Sequence, residues 1–257
     1  MRAFIQCNRV KDIVTGTYIL TPISPSVFDA YYGLREMGYV CVMFETQKDL
    51  EDYYHAKHEI ICGGVGIIRS RLKEKFGISC EEINYPEELR PYLKRDIWES
   101  TINTVRDHPE TWPVFVKSVE GKRLTGKVIT EISDLVGCGC CDEDYPVLCS
   151  NPLQFVSEWR VFVRYGKILD VKLYKGDWKQ HYNPEVIEKC ISDYTNAPNA
   201  YGIDFAVTDT GDTVLVEVND AWALSSYGLP YWKYAKLLIT RWAELTDTHD
   251  KYYYVCG

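Results

Sequence analysis

The stretch from Tyr201 to Asp220 constrains the chain more than any other. It reads Tyr-Gly-Ile-Asp-Phe-Ala-Val, then Thr-Asp-Thr-Gly-Asp-Thr, then Val-Leu-Val-Glu-Val-Asn-Asp. Apolar runs on both sides of Asp209-Thr210-Gly211-Asp212 predict a hairpin of Gly202–Val207 with Val214–Val218. Residues two apart on a strand share a face. Glu217 and Asn219 therefore project together, Asp204 lies on the partner strand, and Val214, Val216 and Val218 are expected to turn into a core. Two carboxylates and an amide oxygen on one face make a hard-oxygen site suited to magnesium and its attached phosphates. A solvated polar face on a half-buried hairpin would leave the same pattern.

Cationic residues precede this hairpin. Lys117 ends the apolar strand Pro113–Val116, and Lys122 follows in Glu120-Gly121-Lys122-Arg123-Leu124-Thr125-Gly126. Backbone amides and a lysine in such a loop can fold over phosphates, although the full spacing of a Walker loop is missing. Ser157–Arg164 alternates strictly, which puts Glu158, Arg160, Phe162 and Arg164 on one face. Across a tight turn at Gly166, Ile168, Asp170, Lys172 and Tyr174 alternate on the neighbouring strand. Half-buried Arg and Lys need anionic partners. Protein carboxylates, a triphosphate or an acyl phosphate would all serve.

The remainder reads as an α/β unit followed by a strand-rich part. Strands are expected at Ala3–Ile5, Tyr18–Leu20, Tyr39–Phe44 and Glu59–Cys62. Helices are expected after Ser24-Pro25 and over Ile67–Phe76, closed by Gly38 and Gly77. Two further helices are predicted to start at Tyr85-Pro86-Glu87 and at Asp96-Ile97-Trp98, with a soft boundary between Lys94 and Pro109. Short strands follow at Val128–Ile129 and Pro146–Cys149, then a helix at Pro184–Asp193. Tyr231–Leu245 forms a closing amphipathic helix.

Composition excludes several classes. The net charge of −8 and the lack of a long Lys/Arg block argue against general nucleic-acid binding. No apolar run approaches the roughly 20 residues of a membrane span. Ten cysteines in 257 residues, behind a start with no secretory signal, read as reduced thiols of a cytoplasmic protein. Cys138, Cys140 and Cys141 lie close together, with Cys149 nearby, but their spacing fits no standard zinc pattern. The 20 tyrosines and 7 tryptophans are read as packing, and the 5 histidines suggest no nucleophilic triad.

The order of these motifs resembles the ATP-grasp fold. It is closest to the two-arginine, one-lysine clade of predicted ATP-grasp amide ligases. Phe115-Val116-Lys117, Lys122-Arg123-Leu124-Thr125-Gly126, Tyr85-Pro86-Glu87-Glu88-Leu89 and the Tyr227-Gly228-Leu229 ending match that clade's pattern. The resemblance implies an α+β / α/β protein in which an amino-terminal α/β (pre-ATP-grasp-like) domain, 1–95, precedes an ATP-grasp domain, 96–257. It implies ATP and magnesium as cofactors. Lys117 and Lys122 would hold phosphates, beside Thr125 and Gly126. Arg160 would reach a phosphate or acyl phosphate with help from Lys172, for which Lys175 is an alternative. Asp204, Glu217 and Asn219 would bind one or two magnesium ions. Adenine would lie near Leu148, Cys149 and Ser150, and Glu158 is grouped with this cofactor set. Arg164 would bind substrate or serve as an ion-pair partner. The implied activity joins a small-molecule or peptide carboxylate to an amine. A phosphotransferase and a non-catalytic nucleotide-binding module are the alternatives, and oligomeric state is left open.

Overall fold

The computed structural model describes residues 1–119, 124, 126–138 and 143–254. The amino-terminal part contains β1 (Arg2–Lys11), β2 (Tyr18–Pro22), α1 (Pro25–Glu36), β3 (Val40–Phe44), α2 (Gln47–Glu51), β4 (Ile60–Cys62) and α3 (Val65–Phe76). β1 runs parallel to β3 and β4 and pairs antiparallel with β2. It is longer than expected because its outer half, Cys7–Lys11, is held by β2. Ser24 caps α1 by accepting the Val27 N–H at 3.3 Å, and Gly77, at φ +69°, closes α3 in the left-handed region.

Next come α4 (Arg90–Leu93), β5 (Ile97–Thr101), α5 (Ile102–Asp107), β6 (Val114–Ser118), β7 (Lys127–Ile129) and β8 (Pro146–Ser150). The helix expected at Asp96 is instead the edge strand β5, paired antiparallel with β8. Ile97, Trp98 and Thr101 are residues that suit a pleated surface. The helix waits for Thr101, whose hydroxyl accepts the Thr104 N–H at 3.2 Å. The helix expected from Tyr85 shrinks to a single turn of 3-10 helix, Glu87–Leu89, followed by α4. The small sheet has the order β5-β8-β6-β7. It buries Val114, Val116, Val147 and Cys149 against Ile102 and Val105 of α5.

The last part holds β9 (Phe155–Arg164), β10 (Lys167–Gly176), α6 (Pro184–Asp193), β11 (Ala200–Thr208), β12 (Thr213–Asp220) and α7 (Tyr231–Thr246). This central sheet is antiparallel, in the order β10-β9-β11-β12. One face carries Val161, Val163, Ile203, Phe205, Leu215 and Val218, which pack on α6 and on Leu89 and Leu93. On the opposite face, Phe162 and Ala200 join α7 and the amino-terminal sheet in one shared core.

Two bulges alter the expected alternation. On β12 the register moves from Asp204 opposite Glu217 to Phe205 opposite Leu215. Leu215 therefore enters the core, while Val216, expected there, is only half-buried. Arg95 donates to the carbonyls of Leu215 and Val216, at 2.8 and 2.9 Å, and so fixes this irregular stretch. On β10 a second shift between Leu173 and Lys175 lets Tyr174 and Lys175 both reach Glu158 on β9.

Candidate functional site

Glu217, Asn219, Asp204 and Arg160 occupy adjoining positions on three neighbouring strands. Register sets Asp204 opposite both Arg160 on β9 and Glu217 on β12. Arg160 donates to both Asp204 oxygens, from Nε at 2.7 Å and from a terminal nitrogen at 2.6 Å, and both side chains are buried. Burial lifts the Asp204 carboxyl to about 6, against the opposing pull of the Arg160 contacts. Asn219 Nδ2 links the carboxylates, donating to Glu217 Oε1 at 3.0 Å and to Asp204 Oδ2 at 3.4 Å.

The small sheet supplies the facing cation. Lys117 on β6 donates to Glu217 Oε2 at 2.9 Å and to Asn84 Oδ1 at 2.7 Å, and its ammonium lies 4.9 Å from the Tyr85 ring centroid. Burial disfavours both charges of this pair. Their mutual attraction outweighs it, raising the Lys117 pKa and lowering that of Glu217. Asn84 sits at φ +54°, a backbone state that Asn tolerates, and its carbonyl accepts the Val218 N–H at 2.8 Å. Gly126 closes over the same side of β6. A Cβ there would stand 2.8 Å from Phe115 Cζ and 3.9 Å from Lys117 Cβ.

Aromatic rings flank the arginine. The Arg160 guanidinium lies 4.9 Å from the Tyr227 ring and 5.8 Å from that of Tyr174, and the two rings stack at 5.1 Å. The Tyr174 hydroxyl donates to Glu158 Oε2 at 2.9 Å, and Lys175 contacts Glu158 Oε1 at 2.5 Å.

Other expected residues lie elsewhere. Arg164 belongs to a separate buried cluster. Its Nε donates to Thr240 at 2.7 Å, and a terminal nitrogen donates to Asp250 at 3.1 Å and to the Tyr252 carbonyl at 2.6 Å. Being four residues beyond Arg160, roughly 13 Å along an extended strand, it meets the closing helix instead of the carboxylates. Lys172 lies opposite Arg160 but pairs with Asp170 at 3.0 Å, leaving Lys175 as the lysine on Glu158. Cys149 turns its thiol into the core of the small sheet, where burial raises it to about 11. Leu148 sits opposite Lys117 and Ser150 opposite Phe115, so those two share the Lys117 face. β8 is paired on both sides over Val147–Ser150, so open backbone begins only at Asn151. Lys122, Thr125, Cys140 and Cys141 lie outside the described residues. Asn84, Tyr85, Arg95, Tyr174 and Tyr227 escape sequence reasoning as members of the site. The sequence signals near them are the Tyr-Pro-Glu-Glu-Leu segment, the strand alternation that includes Tyr174, and the Tyr-Gly-Leu ending.

Among the described residues no group of three or more His, Cys, Asp or Glu could hold a metal. The site offers two carboxylates and an amide, a hard-oxygen set that suits magnesium when phosphate oxygens complete the coordination. Again among the described residues, no helix is long and apolar enough to cross a membrane.

Several solved structures share the fold of this chain. The solved D-alanine–D-alanine ligase of Bacillus anthracis aligns over 96% of this chain and 99% of that chain, with a TM-score of 0.56 at 15% identity. Its ATP complex aligns over 96% and 98%, with a TM-score of 0.51 at 17% identity. The ATP-grasp ligase PsnB, complexed with a minimal precursor, aligns over 93% and 99%, with a TM-score of 0.52 at 14% identity. These likenesses concern the fold. No curated protein sequence gives a significant match. The family model described as "ATP-grasp domain, R2K clade family 2" matches residues 92–237, more than half of the chain. The chain belongs to that ATP-grasp family, within the R2K clade.

Proposed function

We propose that this protein is an ATP- and magnesium-dependent ligase that activates a carboxylate as an acyl phosphate and joins it to an amine. One observation carries the reading. Lys117 from the small sheet meets Glu217 from the central sheet, Asn219 donates to that same Glu217, and Asp204 and Arg160 lie beside them, so opposite charges face each other across two sheets.

A substrate carboxylate and the triphosphate of ATP repel each other, so a site for their reaction must supply positive charge. Lys117 and Arg160 supply it from two sides. Asp204, Glu217 and Asn219 would hold magnesium, which neutralises phosphate charge as the reaction proceeds. The substrate carboxylate oxygen attacks the γ-phosphorus. The bond from that phosphorus to the β-bridging oxygen breaks, and ADP leaves with the electron pair. The nitrogen of the neutral amine then attacks the acyl carbon, phosphate departs with the C–O electron pair, and the nitrogen loses one proton to give the amide. No enzyme nucleophile is needed. Arg160, fixed on Asp204 and flanked by Tyr174 and Tyr227, is preorganised to face the transferring phosphoryl group. Adenine is assigned to the Leu148–Asn151 stretch, read by the backbone open from Asn151 onward. The fold of the solved ATP-grasp ligases and the family membership support the reading.

The test is ADP release with pooled acids and amines. Glu217→Gln is expected to lower it by about a hundredfold or more, with a thermal midpoint within about 5 °C of wild type. Unchanged release in Glu217→Gln would remove this cluster from the chemistry. Phosphate retained on the acceptor, with no amide formed, would make the protein a phosphotransferase.

A further inference from the structure

A cavity of about 460 Å³ lies in the shared core, between the amino-terminal sheet and the segment that follows β12. Val27 and Ala30 of α1, Ile61 of β4, Ile68 of α3, Leu238 of α7 and Leu224 line it, and all six are buried. Among the described residues of its lining, none carries a charge. Three of its hydroxyls are already engaged. Those of Ser24 and Ser26 accept the Val27 and Ser226 N–H groups at 3.3 and 3.0 Å, and that of Tyr234 donates to the Leu224 carbonyl at 2.6 Å. A charged group entering this space would lose its hydration without gaining a partner, whereas an apolar group gains by leaving water.

Its position is that of a ligand site. β3 and β4 flank β1 on opposite sides and run parallel to it. The cavity reaches the carboxyl end of β4 at Gly63 and Gly64, and open α/β sheets bind ligands in the crevice where strand order reverses in this way. Its size falls within the roughly 300–1,000 Å³ of small-molecule pockets.

The cavity meets the carboxylate cluster at one side chain, Leu224. A Cβ on Gly202 would stand 2.8 Å from Leu224 Cδ1 and 3.5 Å from Arg160 Cδ, so Leu224 reaches the Arg160 face of the central sheet. Three residues on, Tyr227 lies against the Arg160 guanidinium. Ser226, between them, is fixed on α1 through Ser26 and Asp29. This wall is held in place, and a group seated in the cavity is one side chain away from Arg160.

We infer that this cavity receives the aliphatic or aromatic tail of the acid substrate, whose carboxylate points toward Arg160. The assignment to the acid rests on the ligase reading, whereas the cavity's preference for an apolar group does not.

The experiment reads binding and turnover separately. Straight-chain monocarboxylates from ethanoate to octanoate, 3-phenylpropanoate and the matching α,ω-dicarboxylates are titrated by calorimetry and saturation-transfer NMR, with magnesium and a non-hydrolysable ATP analogue. Turnover is followed with ATP and hydroxylamine, which traps an acyl phosphate as the hydroxamate and frees phosphate. Affinity is expected to rise about fourfold per added methylene until the cavity is full. Each dicarboxylate should bind at least about tenfold more weakly than the monocarboxylate of equal length. Val65→Trp, which narrows the cavity from the start of α3, should remove the gain for the longer acids and leave affinity for the ATP analogue unchanged. Leu238→Ala, which widens it from α7, should move the optimum to longer acids. Should Leu238→Ala not fold, Val65→Trp and the chain-length series decide. The inference is overturned if no monocarboxylate binds, if affinity ignores chain length, if dicarboxylates bind equally well, or if Val65→Trp binds the longer acids like wild type. Chain-length-dependent binding without hydroxamate keeps the cavity and removes the ligase reading. Hydroxamate formed alike from every acid keeps the ligase reading and removes the cavity.

Discussion

Arg160 and Asp204 show how far one residue pair is committed. Both are buried, and each occupies the other's hydrogen-bonding edge. Removing one member strands a charge, which typically costs about 3–5 kcal/mol. Arg160→Met and Asp204→Leu should each destabilise by that order in urea denaturation, and the double variant should lose less than the two losses added together. Additive losses would mean that the pair is not a unit. Strict alternation from Ser157 to Arg164 made the polar face of Arg160 legible in the sequence, but its partnership with Asp204 was not, because it depends on the pairing of β9 with β11. The same alternation put Arg164 on that face and left it as a substrate binder or an ion-pair partner, and it makes an ion pair with Asp250. Period-two reasoning fixes the face of a strand but not the distance along it, and Arg164 is absorbed by Asp250 and Thr240. Asn84 carried no periodic signal at all, because it stands in an irregular segment and acts through a left-handed backbone.

Among the elements, β12 depends on help from outside its own sheet. Its bulge turns Leu215 inward and leaves carbonyls that Arg95 satisfies. Arg95 is half-buried, and desolvation lowers its pKa. Arg95→Met should cost about 1–3 kcal/mol, from two carbonyls left short of a donor, as read by chemical denaturation. It should also weaken the Lys117–Glu217 contact, seen as a loss of affinity for magnesium-bound nucleotide. Stability and nucleotide affinity both unchanged would show that the bulge holds itself. Bulges explain most of what the sequence could not reveal here. Without the one on β12, Val216 would be core as expected. Without the one on β10, Tyr174 and Lys175 could not both serve Glu158. The strand misread as a helix at Asp96 is a different failure, since β5 exists only because β8 lies beside it.

At the scale of the molecule, Asp250 ties the end of the chain to the central sheet through Arg164, Tyr165 and Thr240. Burial opposes its charge, but the Thr240 hydroxyl, the Tyr252 backbone N–H, Tyr165 and Arg164 outweigh burial and depress its pKa below the usual 3.8. A carboxyl depressed on folding contributes stability in full above its unfolded value, and that stability is lost as pH falls through its folded value. Asp250→Asn should therefore lower the melting temperature at pH 7 and narrow its gap to wild type below about pH 3.8. A gap of constant size from pH 7 to pH 3 would exclude this role.

The cores described above are three, and they are stitched unevenly. α7 and Phe162 seal the first strands of the chain to the last helix, so the opening and closing segments form one block. The small sheet keeps its own filling of Val114, Val116, Val147 and Cys149. Deleting α7 would strip the amino-terminal strands of their cover as well as the central sheet, so the first 80 or so residues are not an excisable module.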